Sequence, residues 1–375
     1  MTEQLRRYTR DDAQITVTVR GREYQGWLES EVERSLESVA GAFSIPVSLV
    51  PGQPPDIERQ DEITVRINGV PVIVGYVLAA APFYRAGDCG MRITGRDRTG
   101  DLVHSTAIYK GGQWINARID RICRDLLTPF GIKLTVDTDI GAAVPDFKLG
   151  HGETVVEAIS RAARLRGVLA IRGDDGHLVL TKAGTTRFDG AIARGHNVIE
   201  MDDLGSDEQR HSEYIVFGQR NVADDDAGDV DVARAIKSSA KDAEIKRYLP
   251  LVIHADGNTT PAELSALAAH TARVRRGHAY GIRYLVEGWT CKGKPWPLNQ
   301  RVPIYDDVAG LDGAEWLIAS VKQTCSLKDG DVTELIVRPI EAYDSAPLQT
   351  RKRRKRWDGT RGPSDKANDK ARAAR

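Results

Sequence analysis

The spacing of apolar residues changes twice along this chain, from two to about 3.6 and back, and few folds accommodate that order. At the start, Ile15, Val17 and Val19 alternate with Thr16, Thr18 and Arg20. Gly21-Arg22 then turns the chain into Glu23-Tyr24-Gln25-Gly26-Trp27, the pattern of a half-buried β-hairpin. A second hairpin is written at 63–67 and 70–77 around Asn68-Gly69. Asn-Gly between β-branched runs is a strong hairpin signal, because both residues tolerate the positive φ of a type I′ turn. Residues 90–95 add another strand. These short strands predict a region that closes as a barrel or sandwich.

Near Trp114 the period lengthens. Ile115, Ile119, Ile122, Cys123, Leu126 and Leu127 fall at helical spacing, and Thr128-Pro129-Phe130-Gly131 stops the helix before a strand at 132–136. Thr154 is placed to cap a second helix with the stripe Val155, Ile159, Ala162 and Ala163, ending at Gly167. Strands at 168–172 and 177–181 come next, joined by Gly173-Asp174-Asp175-Gly176. Two helices, each followed by strands, predict a small two-layer α/β unit inserted into β structure.

Beyond Gly190 the two-residue period returns, with strands at 214–218, 285–289, 301–305, 316–324 and 333–338 and a turn at Lys328-Asp329-Gly330-Asp331. Residues 261–276 interrupt them with a helix whose Glu263 and Arg273, Arg275 and Arg276 suit its dipole. Trp289 and Trp296 flank Lys292-Gly293-Lys294-Pro295, and the alternation through 284–289 favours a core position for Trp289. The expected fold is mainly β with an α/β insertion: two small β-barrel domains plus an α/β two-layer domain. The expected boundaries are 1–110 for the first barrel, with 188–222 a candidate to complete it, 111–187 for the α/β insertion and 223–346 for the second barrel. Residues 347–375 form a basic tail, disordered in isolation. The length, 375 residues with 41% apolar content, supports two or three domains with their own cores.

Zero net charge hides an asymmetry. From Pro347 onward there are eleven basic and three acidic residues, so the tail carries +8 and residues 1–346 carry −8. The tail, with Trp357 as its one aromatic, reads as a solvated segment before a nucleic-acid patch. An acidic body also lacks the clustered cations that grip a phosphate backbone. The uncharged stretch 68–84 contains two prolines and reads as β, and no run reaches the ~20 apolar residues of a membrane span. No apolar segment follows the charges of the first residues, so no secretory signal is expected and the chain is expected to fold in the cytoplasm.

Motifs for chemistry are missing. Cys89, Cys123, Cys291 and Cys325 form no CxxC pair and have no His at ligand spacing, which points to inert thiols. Lys292-Gly293-Lys294-Pro295 lacks the upstream Gly and the Ser/Thr of a phosphate loop, and no nucleophile elbow occurs. His151-Gly152-Glu153 has no second His one turn later and reads as a polar lead-in to a helix. The acidic run 224–229 is wrongly spaced for an EF-hand, and Asn258-Thr259-Thr260 means little as a glycosylation site without secretion. No catalytic, cofactor-binding or metal residue is expected, and no cofactor.

Several segments in order resemble the baseplate hub family of contractile-tailed bacteriophages, the Mu-like tail protein P group. They are Gly95-Arg96-Asp97-Arg98-Thr99-Gly100-Asp101-Leu102-Val103, Gln209-Arg210-His211-Ser212-Glu213-Tyr214-Ile215-Val216-Phe217-Gly218-Gln219, and Arg247-Tyr248-Leu249-Pro250-Leu251-Val252-Ile253. Glu287-Gly288-Trp289 with Trp296 and Asn299, Leu317-Ile318-Ala319-Ser320-Val321 and Pro339-Ile340-Glu341-Ala342-Tyr343 complete the set. His104 and His211 stand where the family pattern leads one to expect acidic or aromatic residues. The resemblance implies a structural homotrimer, not an enzyme. Each chain would supply two similar barrels to a pseudo-sixfold ring that joins a sixfold tail tube to a threefold central spike. Implied partners are further copies of the chain, the spike, the tube or distal tube protein and baseplate wedge proteins. DNA would be present only in passage, with no stable membrane insertion, and the virion baseplate would be assembled in the host cytoplasm. The alternatives are a spike-hub of a type VI secretion or phage-like injection apparatus, a nucleic-acid-binding protein that uses its tail, and a carbohydrate-active enzyme, which would need acidic pairs that sequence cannot place.

Overall fold

A computed structural model describes residues 15–24, 29–48, 56–85, 88–222, 232–258, 260–326 and 330–344. The acidic run 224–229, the tail 347–375 and positions 328–329 of the expected turn lie outside the described residues. One 14-stranded sheet runs through the molecule. Its path is Val198–Asp203, Ile282–Glu287, Gly330–Arg338, Leu311–Ser326, Ser30–Ser35, Ala42–Ser48, Asp88–Asp97, Val70–Arg85, Glu62–Ile67, Ile15–Val19 and Arg22–Tyr24. Gln300–Asp306 branches from Leu311–Ser326 and takes Thr186–Arg187 and Ile192–Ala193 as parallel partners. An isolated parallel bridge also joins Arg194, just after Ile192–Ala193, to Val198 at the start of Val198–Asp203.

The long strand Leu311–Ser326 splices the two β halves. Along one edge its residues 311–317 pair with Gln300–Asp306, and its residues 320–325 pair with Ser30–Ser35. The opposite edge pairs with Gly330–Arg338 and carries a bulge between Ile318 and Ser320. At that bulge the Ala319 carbonyl accepts the Leu36 N–H at 2.8 Å, so the irregularity falls where the partner changes. Strands of the first hundred residues are thereby hydrogen-bonded to strands of the last seventy.

Local sequence accounts for the hairpins. Asn68 and Gly69 take φ of 49° and 76°, as a type I′ turn requires. In Glu62–Ile67 the residues Ile63, Val65 and Ile67 are buried while Glu62, Thr64 and Arg66 are not. The same alternation packs Val17, Val32, Ile45, Ile73 and Ile93 into one core. A second core gathers Tyr284, Val286, Trp296, Ile304, Ile318, Leu335 and Val337.

Two α/β units hang from this sheet. The first contains the antiparallel pair Gln113–Ala117 and Val144–Lys148, and a three-stranded sheet of Leu169–Arg172, Leu178–Thr181 and Leu134–Val136. Its helices are Gly100–His104, Ile119–Leu127 and Val155–Arg164. Thr154 caps the last in a full capping box with Glu157. Ile115 does not start a helix: it is 67% exposed on Gln113–Ala117. Asn116 adopts φ 52° and breaks the strand's alternation, so Trp114 and Ala117 both turn inward, and Ile115 is left only a coincidental four-residue spacing from Ile119. Leu102 and Ala107 also lie in this unit's core, so the architecture changes beside Asp97.

The second unit holds the helix expected at 261–276. Glu213–Val222 pairs with Val232–Lys241 and, in parallel, with Pro250–Asn258, in a sheet separate from the main one. Helix Pro261–Ala279 packs on it through Leu264 and Ala268 against Val216, and Thr260 and Glu263 form another capping box. At the helix end, a Cβ on Gly277 would meet Ala342 N at 2.4 Å, and this close approach seats the turn Ile340–Tyr343. None of the described strands in 186–222 pairs with strands of residues 1–110: those before 204 join the second half and Glu213–Val222 joins the separate sheet.

Trp289, carried by the second half, is 3% exposed within the core of the first, and its indole donates to the Thr324 carbonyl at 3.0 Å. We predict that Trp289→Ala lowers the unfolding free energy by roughly 3–5 kcal/mol in a denaturant titration. A loss below about 1 kcal/mol would show that the side chain does not anchor the join.

Candidate functional site

The motif from Gly95 to Val103 folds as the corner between the first β half and its α/β unit, and it centres on a buried charge. Asp97 and Arg172 are 1% and 4% exposed and form an ion pair. Asp97 Oδ2 also accepts the Gly41 N–H at 2.8 Å, and Oδ1 accepts the Thr99 hydroxyl at 2.5 Å. Arg172 Nη2 donates to the Val72 carbonyl at 2.8 Å, which leaves little of either charge uncompensated.

The network continues across the molecule. Asp174 Oδ1 accepts from Arg172 Nη1 at 3.5 Å and from Arg34 Nη1 at 3.1 Å. Arg34, 1% exposed, sits on the splice strand partner Ser30–Ser35 and donates from Nη2 to the Trp296 carbonyl at 2.8 Å and to Gln323 Oε1 at 3.4 Å. Gln323 in turn donates to the Trp289 carbonyl at 3.0 Å. Two guanidinium groups and two carboxylates therefore balance in charge where the first half, the α/β unit and the second half meet. Burial lowers the pKa of Arg34, opposed by Asp174 and reinforced by Arg172.

The motif from Gln209 to Gln219 builds a matching junction at the other α/β unit. Arg210, 3% exposed, donates to Asp242 Oδ2 from Nε and Nη2 at 3.1 and 2.8 Å, to Asp207 at 2.8 Å and to Glu244 at 2.5 Å. Arg276 reaches Asp242 Oδ1 at 3.1 Å. Burial works against the Arg210 charge, but its bonds to Glu244, Asp242 and Asp207 outweigh it and raise the pKa. Burial likewise pushes the Asp242 carboxyl up, while Arg210 and Arg276 pull it down further, so it ends below its ordinary value.

His104 and His211 fit into these corners. Arg96 donates to His104 Nε2 at 3.2 Å. The His211 backbone N–H donates to the Tyr214 hydroxyl at 3.0 Å, with the two rings edge-to-face. Glu153 of His151-Gly152-Glu153 accepts from Gly150 N–H and from both Nε and Nη2 of Arg161 at 2.8 Å each. Those bonds lower its pKa, so this carboxylate braces a helix start. Cys123 and Cys291 are buried, and desolvation pushes the Cys123 thiol up to about 12, away from a reactive thiolate. Among the described residues no cluster of three metal-ligating side chains occurs, and no described helix is long and apolar enough to cross a membrane. Neither ionic junction was visible in the sequence, because their partners lie far apart in the chain.

Both junctions generate predictions. Arg172→Leu leaves Asp97 buried without its counter-charge and should lower stability by roughly 3–5 kcal/mol, whereas Arg172→Leu with Asp97→Leu should recover part of that loss in the same denaturant series. The depressed pKa of Asp242 contributes stability above the ordinary carboxylate range and loses it as pH falls through the folded value. Unfolding free energy should therefore drop between about pH 5 and pH 2, and Asp242→Asn, less stable at neutral pH, should show a shallower fall.

Comparison with known proteins places these features in a family. Residues 99–182 match the model for the second domain of baseplate hub protein gp44-like proteins, and residues 14–97 match the N-terminal domain of Mu phage baseplate assembly protein GpP-like proteins. The chain is 33% identical over 356 residues to the baseplate hub protein gp44 of Escherichia phage Mu, covering 92% of this chain and 94% of that protein. Its fold is similar to the 43 kDa tail protein of prophage MuSo2 from Shewanella oneidensis, with TM-score 0.78, 31% identity and 89% and 100% of the two chains covered. It also shares a fold, at TM-score 0.57 and 9% identity over 89% and 80% of the chains, with E. coli c3393, described as a type VI secretion component similar to the T4 tail proteins gp27 and gp5. The two family models meet at 97 and 99, on either side of the Asp97–Thr99 corner. By its sequence kinship and its fold, the chain belongs to the Mu-like phage baseplate hub proteins, structural components of the virion tail and not enzymes.

Proposed function

We propose that three copies of this chain form a closed ring at the centre of a contractile tail baseplate. The ring joins the sixfold tail tube to a threefold central spike and surrounds part of the path by which DNA leaves. The observation that carries this reading is the splice at Leu311–Ser326, which holds two β halves in one sheet, each with its own α/β unit. Three such chains present six β units, the number that a sixfold tube can engage, while the chain itself keeps threefold symmetry. In this reading each half closes as a small barrel within the ring. The domain division follows the cores: 15–97 for the first β half, 99–187 for its α/β unit, 188–206 with 281–344 for the second half, and 207–280 for the second α/β unit.

Charge supports the passage of DNA. Residues 1–346 carry −8, and a wall without clustered cations does not release counterions from a passing duplex and so does not hold it. Exposed apolar side chains offer contacts for the neighbours expected of a hub: Tyr84, Ile108 and Tyr248 are each more than 80% exposed. Those neighbours are the spike, the tube or distal tube protein and the wedge proteins, met during assembly in the host cytoplasm. A spike-hub of a type VI or phage-like injection apparatus is the second reading, favoured by the fold shared with c3393.

Light scattering after gel filtration tests the ring. The expected mass is three times the 41.2 kDa chain, unchanged on dilution to the order of 10 nM because an obligate interface of this kind exceeds ordinary complex size. Folded monomers under those conditions would contradict it.

A further inference from the structure

The two β halves repeat one another in register. Val70–Arg85 and Leu311–Ser326 are both 16 residues long. Each pairs at its start with a short strand, Glu62–Ile67 or Gln300–Asp306, across a bulge at Val65/Arg66 or Ile304/Tyr305. Each pairs along its opposite edge with the strand that follows it, Asp88–Asp97 or Gly330–Arg338, across a second bulge at Val77/Ala79 or Ile318/Ser320. Gln60 and Asn299, with φ of 74° and 60°, donate their N–H groups to the carbonyls of Val77 and Ile318 at 2.7 and 3.0 Å. Next in the sheet, Ala42–Ser48 and Ser30–Ser35 correspond to Ile282–Glu287 and Val198–Asp203, and the pair Val32↔Phe43 corresponds to Asp203↔Ile282. Two bulges at matching positions fix the register, so the equivalence runs residue by residue.

One pairing lacks its counterpart. Past its second bulge, Leu311–Ser326 takes Ser30–Ser35 as partner, and this is the splice. The same edge of Val70–Arg85 takes no strand over 78–82 among the described residues. Residues 203–207, the counterpart of the end of Ser30–Ser35, take none on their outer edge either, because the bridge from Arg194 reaches Val198 at the other end. The Leu204 and Ser206 N–H groups bond to the Gly281 and Ala279 carbonyls, so the backbone groups of Asp203, Gly205 and Asp207 face that outer edge. There the Asp203 side chain covers the Gly205 N–H at 2.8 Å. Burial differs in the same sense: Ala319 at the splice is 2% exposed, whereas its counterpart Leu78 is 55% exposed and Leu204 is 39% exposed.

We infer that residues 203–207 of one copy pair antiparallel with residues 78–82 of the next, in the register Ser206↔Ala79, Gly205↔Ala80, Leu204↔Ala81 and Asp203↔Pro82. That register is the one the splice shows, where Ser35, Arg34, Glu33 and Val32 pair with Ser320, Val321, Lys322 and Gln323. The operation that carries the first half onto the second carries the splice onto this contact, which makes the occupant a second copy of the chain. Pairing covers Leu78 and Leu204, and it puts Asp202 on the same face as Arg92, the exposed cross-strand neighbour of Ala81. Pro82 has no N–H to give, so the ladder ends there and an unrelated strand finds a poor template along this edge. The contact is head-to-tail, and such contacts close into a ring when the rotation permits. It rests on the threefold ring proposed above and names the surfaces that meet in it.

Disulfide trapping in the full chain tests the register. In a Cys89→Ser background, Ala81→Cys with Leu204→Cys should give two- and three-chain bands on a non-reducing denaturing gel after mild oxidation. Ala80→Cys with Leu204→Cys, one residue out of register, puts the two thiols on opposite faces of the sheet and should link at least about tenfold less. Light scattering on the same samples before denaturation separates this inference from the ring itself. A mass of three times 41.2 kDa with no linked bands, or with both cysteine pairs linking equally, would overturn the strand pairing and leave the ring standing. Folded monomers would overturn both.

Discussion

The structure depends on a balanced set of charges at the point where three units of the chain meet, Arg34, Arg172 and Asp97 buried and Asp174 half-exposed at its rim. Each unit contributes: Arg34 comes from the splice strand partner Ser30–Ser35, Asp97 from the corner out of the first β half, and Arg172 and Asp174 from the α/β unit. The second half closes the set through the Trp296 carbonyl and Gln323. Buried ion pairs are poor sources of net stability, since desolvation takes back much of the attraction. They are strong sources of discrimination, because any arrangement that separates the partners leaves a bare charge in the interior. In the proposed ring, where the units must hold one relative position, that discrimination would matter more than another apolar contact.

The Arg210–Asp242 junction repeats the device at the second α/β unit. In each case a short polar motif in the sequence lies at the corner where a β half hands over to a helix-bearing unit, and in each the aspartate also receives backbone N–H groups, from Gly41 at Asp97 and from Glu244 at Asp242. The two segments at 95–103 and 209–219 are therefore corners of the scaffold, where Asp97 and Arg210 pair with Arg172 and Asp242. Trp289 adds an apolar counterpart by crossing from the second half into the first core.

Much of this fold was legible where local patterning and burial agree. The Asn68-Gly69 hairpin, the Thr154 helix start and the helix from Pro261 follow from period, turn chemistry and capping, whereas Trp289 is buried although Leu285 and Glu287, its companions in that alternation, are not, because the chain turns at Gly288 with φ 71°. Ser30–Ser35 was not legible. Its sequence, Ser-Glu-Val-Glu-Arg-Ser, offers one apolar side chain, and the inward position that an isoleucine would have advertised holds Arg34. The same charge that fixes the junction thus conceals the strand. Val232–Lys241 is hidden likewise by its alanines, serines and lysines, so its pairing with Glu213–Val222 has no local signature. The family resemblance rests on motif order, whereas the ionic partners, separated by 75 residues for Arg172 and Asp97 and by 140 for Arg34 and Asp174, have no local signature.

A hub made this way should be stiff within each chain and should gain its symmetry only from repetition of the chain around an axis. In the proposed ring, two β halves fixed side by side would let a threefold object meet a sixfold tube, and a negative body would leave the central passage without a grip on DNA. Electron microscopy of the purified protein in negative stain examines that geometry directly. The account predicts class averages of a ring with threefold symmetry, six peripheral lobes of density and a central hole wide enough for a duplex. Averages showing single elongated particles, or a closed assembly without a central opening, would contradict it.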